Sequence, residues 1–143
     1  MPAFAGVSHV DLTVRDADLS AAWYERVLCL VKVAEHSADE HTPRRVVNVM
    51  HQPSGFTIGF NRHTSGIDGE FSELRVGLDH LSLAVASREE LESWVEHLNA
   101  CGVSHSGISD HVYSGLGDLQ WSTSVLVFRD PDNIQLELMA LIA

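Results

Sequence analysis

Residues 7–14, VSHVDLTV, alternate in polarity: Val10, Leu12 and Val14 fall on one side of an extended chain, and His9, Asp11 and Thr13 on the other. That is the period of a strand with one buried face. The same alternation returns at 78–85, LDHLSLAV, where Leu81, Leu83 and Val85 oppose His80, Ser82 and Ala84. An offset of 71 residues carries His9 to His80, Leu12 to Leu83, Val14 to Val85 and Trp23 to Trp94. The chain is internally duplicated, and each copy begins with the same strand.

After each strand the period changes from two to that of a helix. Asp16 or Asp18 offers an N-cap, and Leu19, Ala22, Trp23, Val27 and Leu30 recur at helical spacing, which predicts an amphipathic helix over 18–29. In the second copy Ser87 and Glu90 form a capping box ahead of Leu91, Trp94, Val95 and Leu98, and Gly102 closes the helix. Trp23 and Trp94 read as core anchors. A strand starts near residue 31, a loop occupies 39–43, and strands at 45–50 and 55–61 flank a turn at 51–55. The first half thus reads β-α-β-β-β, and the Gly, Ser and acidic stretch at 64–74 is an exposed linker. In the second half strands are expected at 112–113, 123–128 and 134–139, with a turn at 130–133 in which Asn133 takes a left-handed conformation. Residues 114–122 have no clear period and read as a mobile loop.

Length makes this one domain over 1–143, with a first module at about 5–63, a linker at about 64–76 and a second module at about 77–143. Nine Lys and Arg against 20 Asp and Glu give a formal charge of −11, which argues against a nucleic-acid partner. No apolar run approaches the roughly 18 residues of a membrane span, and no signal peptide is evident. Cys29 and Cys101, one per half, make no disulfide framework, so both read as reduced and the protein as cytoplasmic.

Position selects among the nine histidines. His9 and His80 each occupy the polar face of their strand, turned from the helix that follows. In 134–139, Ile134, Leu136 and Leu138 form the apolar set and leave Glu137 on the opposite face. One His or Glu on a strand ordinarily just faces water; the signal is the recurrence in both halves. If those faces curl into a common concave surface, two imidazoles and a carboxylate converge, the donors of non-haem Fe(II) and other divalent sites with open positions. Tyr113 and His111 are candidate general acids or bases, although packing is the commoner role of a strand tyrosine. Asp11, about 7 Å from His9 along the strand, is too far to share a metal with His9 easily but is placed to orient a metal ligand from behind. His36, His41, His51, His63, His97 and His105 read as surface residues.

The stretches HVDLTVRD from His9, AAWYERVLCL in the first helix, DHLSLAV from Asp79 and FRDPDNIQLEL from Phe128 resemble the vicinal oxygen chelate superfamily over nearly the whole chain. That superfamily includes glyoxalase I, extradiol dioxygenases, fosfomycin-resistance enzymes and bleomycin-binding proteins. The resemblance implies an α+β fold of two βαβββ modules forming a cup-shaped, eight-stranded mixed sheet with a metal inside. It places His9, His80 and Glu137 at the metal. A fourth ligand place, in the last strand of the first half, falls on Gly59, which has no side chain. This departure favours three-ligand members with positions open to substrate oxygens or dioxygen. The expectation is therefore an extradiol-dioxygenase-like enzyme using Fe(II) or Mn(II), with Zn(II) or Ni(II) as alternatives, acting on a small molecule with adjacent oxygens. A glyoxalase I-like lyase or isomerase, or a metal-free ligand-sequestering protein, are the alternatives. Small relatives of this kind pair, so a homodimer is expected, its edge strands covered by association.

Overall fold

Each copy of the repeat builds a four-stranded mixed sheet with one helix. The structure is a computed structural model that describes the chain apart from Met1, Phe4, Ile67, Leu116, Gly117, Asp118 and Ala143. Two compact units divide it, residues 1–69 and 70–143. The first contains β1 (His9–Thr13), α1 (Ala17–Leu28), β2 (Val31–His36), β3 (Arg44–His51) and β4 (Phe56–His63). The second contains β5 (Leu81–Ala84), α2 (Arg88–Ala100), β6 (His105–Ser114), β7 (Gln120–Arg129) and β8 (Gln135–Ile142). The strand orders, β1-β4-β3-β2 and β5-β8-β7-β6, are the same topology twice. In each, the first strand lies parallel to the last and the remaining pairs are antiparallel. The eight strands thus form an α+β fold of two βαβββ modules, as two ladders of four.

In the first unit Asp16 caps α1, its Oδ1 accepting from the backbone N–H of Asp18 and Leu19 at 3.0 Å each. Cys29 ends the helix with a left-handed φ of 54°. The buried stripe is Ala17, Ser20, Ala21, Tyr24, Val27 and Leu28. This corrects the expected stripe. Leu19 is 53% exposed and Trp23 only half-buried, while Tyr24 is fully buried against Phe60 at a centroid distance of 4.7 Å. Capping at Asp16 starts the helix a residue earlier, and small residues at 17, 20 and 21 let its backbone lie close on β3 and β4. Val47, Val49, Ile58 and Phe60 are fully buried beneath it, each contributing roughly 1.5–3 kcal/mol.

In the second unit Ser87 Oγ accepts from the N–H of Glu90, and Glu90 Oε2 returns to the N–H of Ala86, a capping box reaching one residue further back. Leu91 and Leu98 are the fully buried anchors, and Trp94 is half-buried with its ring edge-on to His97. His97 and His105 are half-buried too, rather than surface residues. His105 Nδ1 accepts from the Gly107 N–H, and its Nε2 lies 3.2 Å from Asn99 Oδ1, tying β6 to α2.

Strands β6 and β7 are longer than their hydrophobic pattern suggests. β6 takes in the polar run from His105, and β7 begins at Gln120, inside the expected loop. Of that loop, 116–118 lie outside the described residues. An edge strand needs only one partner and can be polar, which erases its alternation. The end of the linker is held, not free. The Phe71 N–H donates to the Asp132 carbonyl, Asn133 Nδ2 to the Phe71 carbonyl, and the Arg129 guanidinium to both oxygens of Glu73 at 3.1 and 2.8 Å. Asn133 has a left-handed φ of 67°, as its turn requires. No helix among the described residues is long and apolar enough to cross a membrane.

Candidate functional site

In each unit the helix covers one face of the sheet, and the other face carries the candidate residues. Register orders the first unit's face into rows. His9 pairs with Thr57 and Thr57 with Met50; Asp11 with Gly59 and Gly59 with Asn48; Thr13 with Asn61 and Asn61 with Val46. His9 is exposed, with Nδ1 3.2 Å from Ser8 Oγ. A Cβ added to Gly59 would stand 2.1 Å from Asp11 Oδ1 and 2.8 Å from Asn48 Oδ1. The space above Gly59 is therefore filled by the Asp11 carboxylate. Two residues along β4, on the same face, Asn61 is 4% exposed, and neither atom of its side-chain amide has a hydrogen-bond partner among the described residues.

In the second unit His80 sits one residue before β5, and its Nδ1 lies 2.6 Å from Asp79 Oδ1. An ionised carboxylate only accepts, so Nδ1 donates here, and Nε2 is the ring nitrogen left for another partner. Register sets Ser82 beside Glu137, and Glu137 beside Val127. Ser82 Oγ donates to Glu137 Oε1 at 2.7 Å, fixing the carboxylate's rotamer with its second oxygen free of any hydrogen bond among the described residues. Imidazole and carboxylate are each held at one atom and presented at the other. Sequence reasoning passed over Ser82, although it stands at the repeat offset from Asp11; Asn48 carried no signal.

Tyr113 and His111 lie elsewhere on the same sheet. His111 pairs with Thr123, and Thr123 with Leu141, four residues beyond Glu137 on β8. That is about 13 Å along the strands and about 10 Å across them. The register does not bring either residue to Glu137. Tyr113 stacks on Trp121 at 5.7 Å and is 44% exposed; His111 Nε2 is 3.1 Å from Ser109 Oγ.

The donors fit a divalent ion in kind: imidazole nitrogens and carboxylate oxygens, with His80 and Glu137 each held by a neighbour. Among the described residues no group of three or more His, Cys, Asp or Glu side chains is gathered as a metal cluster.

The model of the Glyoxalase/Bleomycin resistance protein/Dioxygenase superfamily matches residues 6–138. A crystal structure of a glyoxylase/bleomycin resistance protein/dioxygenase domain from Frankia sp. EAN1pec is 33% identical, with a TM-score of 0.78 over 98% of this chain and 94% of that one. An integron cassette protein from the mobile metagenome of a Halifax Harbour sewage outfall is 21% identical, with a TM-score of 0.68 over 96% of this chain and 100% of that one. A genomically encoded fosfomycin resistance protein, FosX, from Listeria monocytogenes, complexed with Mn(II) and sulfate, is 19% identical, with a TM-score of 0.64 over 96% of this chain and 93% of that one. The last two likenesses speak for the fold alone. No curated protein matches.

Proposed function

The chain belongs to the Glyoxalase/Bleomycin resistance protein/Dioxygenase superfamily, and from that premise we propose that it is a metal-dependent enzyme acting on a small molecule with adjacent oxygens. The observation that carries this reading is the pair of held donors in the second unit, His80 on Asp79 and Glu137 on Ser82. Hydrogen bonds of this kind are what hold ligating imidazoles and carboxylates in orientation. His9 is the first module's proposed ligand, the counterpart of His80 at the repeat offset. Fe(II) or Mn(II) suits these nitrogen and oxygen donors best, with Zn(II) or Ni(II) also acceptable. Such an ion would supply Lewis-acid stabilisation of charge developing on the substrate oxygens. Asp79 keeps the His80 tautomer that leaves Nε2 open, and Ser82 keeps one Glu137 oxygen turned outward. Tyr113 and His111, the other candidates, lie too far along the sheet from Glu137 to be given a part in the proposed metal chemistry.

The dioxygenase expectation rested on Gly59 leaving a ligand place empty. Gly59 itself still supplies no donor, so an extradiol-dioxygenase-like activity stays first; the Asp11 carboxylate lying over Gly59 is what favours a glyoxalase-like lyase or isomerase as the second reading. Metal analysis of protein purified without chelator tests the common premise. Near-stoichiometric divalent ion is expected, and Glu137→Ala should lose most of it. A metal-free wild type that takes up no added Fe(II), Mn(II), Zn(II) or Ni(II) would instead favour a ligand-sequestering protein. Turnover of a hemithioacetal by Ni(II)- or Zn(II)-loaded protein, without oxygen uptake from catechols on the Fe(II) form, selects the lyase or isomerase; the reverse selects the dioxygenase.

A further inference from the structure

The second sheet carries a file of rings at the end away from Glu137. On the face that holds Glu137, β8, β7 and β6 align Leu141, Thr123 and His111 in one row, and Trp121 with Tyr113 in the next. Tyr113 stacks on Trp121 at 5.7 Å with 20° between the planes, and His111 lies against Tyr113 at 6.0 Å. Gly115 makes room for this arrangement: a Cβ there would stand 2.7 Å from Trp121 Cζ3, so the indole leans over the bare backbone. The rings do not bury one another. Trp121 and Tyr113 stay 40% and 44% exposed, two large rings in fixed mutual geometry that present a flat apolar surface to water.

A second, independent observation lies in the adjoining row. Thr123 is 1% exposed, and its Oγ1 has no hydrogen-bond partner among the described residues. A buried hydroxyl in this state costs free energy that a partner would return. Its row neighbours His111 and Leu141 are both exposed, so the way to it crosses side chains that can turn aside. Thr123 stands two residues from Trp121 on the same face, about 7 Å along the strand, the reach of an aromatic ring with one polar substituent.

We propose that this end of the second sheet is a binding site for a small planar aromatic molecule bearing a hydroxyl or amino group, with its ring on Trp121 and Tyr113 and its polar group on Thr123. The formal charge of −11 selects a neutral or cationic ring over an anionic one. The site is separate from the proposed metal ligands. Thr123 lies four residues along β7 from Val127, the neighbour of Glu137, about 13 Å away, so a molecule of this size cannot touch both. Every residue it uses belongs to the second unit.

The test is equilibrium dialysis of the metal-free full-length chain against 2-naphthol and against 2-methylnaphthalene, which has the same rings and no hydroxyl. Wild type should bind both. Thr123→Val keeps the shape and removes the hydroxyl, and should weaken 2-naphthol at least about threefold while leaving 2-methylnaphthalene within about 1.5-fold of wild type. Trp121→Ala removes the stacking surface and should weaken both at least about fivefold. Wild-type protein that binds neither compound would overturn the assignment. So would Thr123→Val acting equally on both, or Trp121→Ala binding both within about twofold of wild type. Sedimentation under the same conditions covers the other occupant: a wild-type dimer that Trp121→Ala dissociates and saturating 2-naphthol does not would give the rings to a second copy of the chain, and overturn the site. Should Trp121→Ala fail to fold, Trp121→Leu decides, since it keeps an apolar side chain without a flat ring: weakened binding of both compounds supports the site, and unchanged binding overturns it.

Discussion

The Asp11 carboxylate and Gly59 share one space: Oδ1 of the one stands 2.1 Å from where a Cβ of the other would be. Gly59→Ala is therefore expected to swing the carboxylate away. The atom in the way is the tip of an exposed side chain, so the sheet should survive, at a cost near the low end of overpacking, about 1 kcal/mol. In an Asp11→Gly background the cost should fall, leaving only the contact with Asn48 Oδ1 at 2.8 Å. Thermal denaturation of the two singles and the double checks this, and additive effects would mean that the two positions are not coupled.

Asn61 is buried with an amide that has no hydrogen-bond partner among the described residues. Leaving such groups unsatisfied costs roughly 1–3 kcal/mol, and an apolar side chain of similar volume removes the penalty. Asn61→Leu should thus raise the melting temperature of the metal-free protein by a few degrees, while weakening metal or substrate binding. A variant that melts lower than wild type would show that the amide is satisfied in solution.

The Glu73–Arg129 pair holds the linker to the second unit, and the Arg129 hydrogen bond pushes the Glu73 carboxyl down to about 2 from its ordinary 4.5. A depressed acid contributes its full stability above its ordinary value and loses it as pH falls through the depressed one. Wild type should be more stable than Glu73→Gln at neutral pH, with the gap closing between about pH 4.5 and 2. Urea midpoints measured across that window check it, and a constant gap would assign the effect to packing instead.

Strand β2 is exposed along its whole length at the edge of the first sheet, with Val31 and Val33 39% and 47% exposed. Apolar side chains on an open edge invite pairing, and a homodimer is expected. Sedimentation at micromolar concentration is the measurement. A monomer there rejects it, and a dimer dissociated by Val33→Lys would place β2 at the interface.

What could be read from residues alone was whatever repeats locally. The duplication, both modules, the Asp16 and Ser87 caps and the left-handed Asn133 are consequences of period and turn chemistry, which act over a few residues. The polar length of β6 was not legible, because an edge strand is specified by its neighbour β7 rather than by its own alternation. Nor was the choice of Tyr24 over Trp23 as anchor, since one residue of helical phase is set by how closely the small face of α1 lies on β3 and β4. The chain order fixes which residues alternate onto the polar faces; only the ladders decide which of them become neighbours. Gly59 shows the difference. In sequence it is a ligand place without a side chain, but β1 brings the Asp11 carboxylate to the same point from 48 residues away, because parallel pairing joins strands that no local pattern connects.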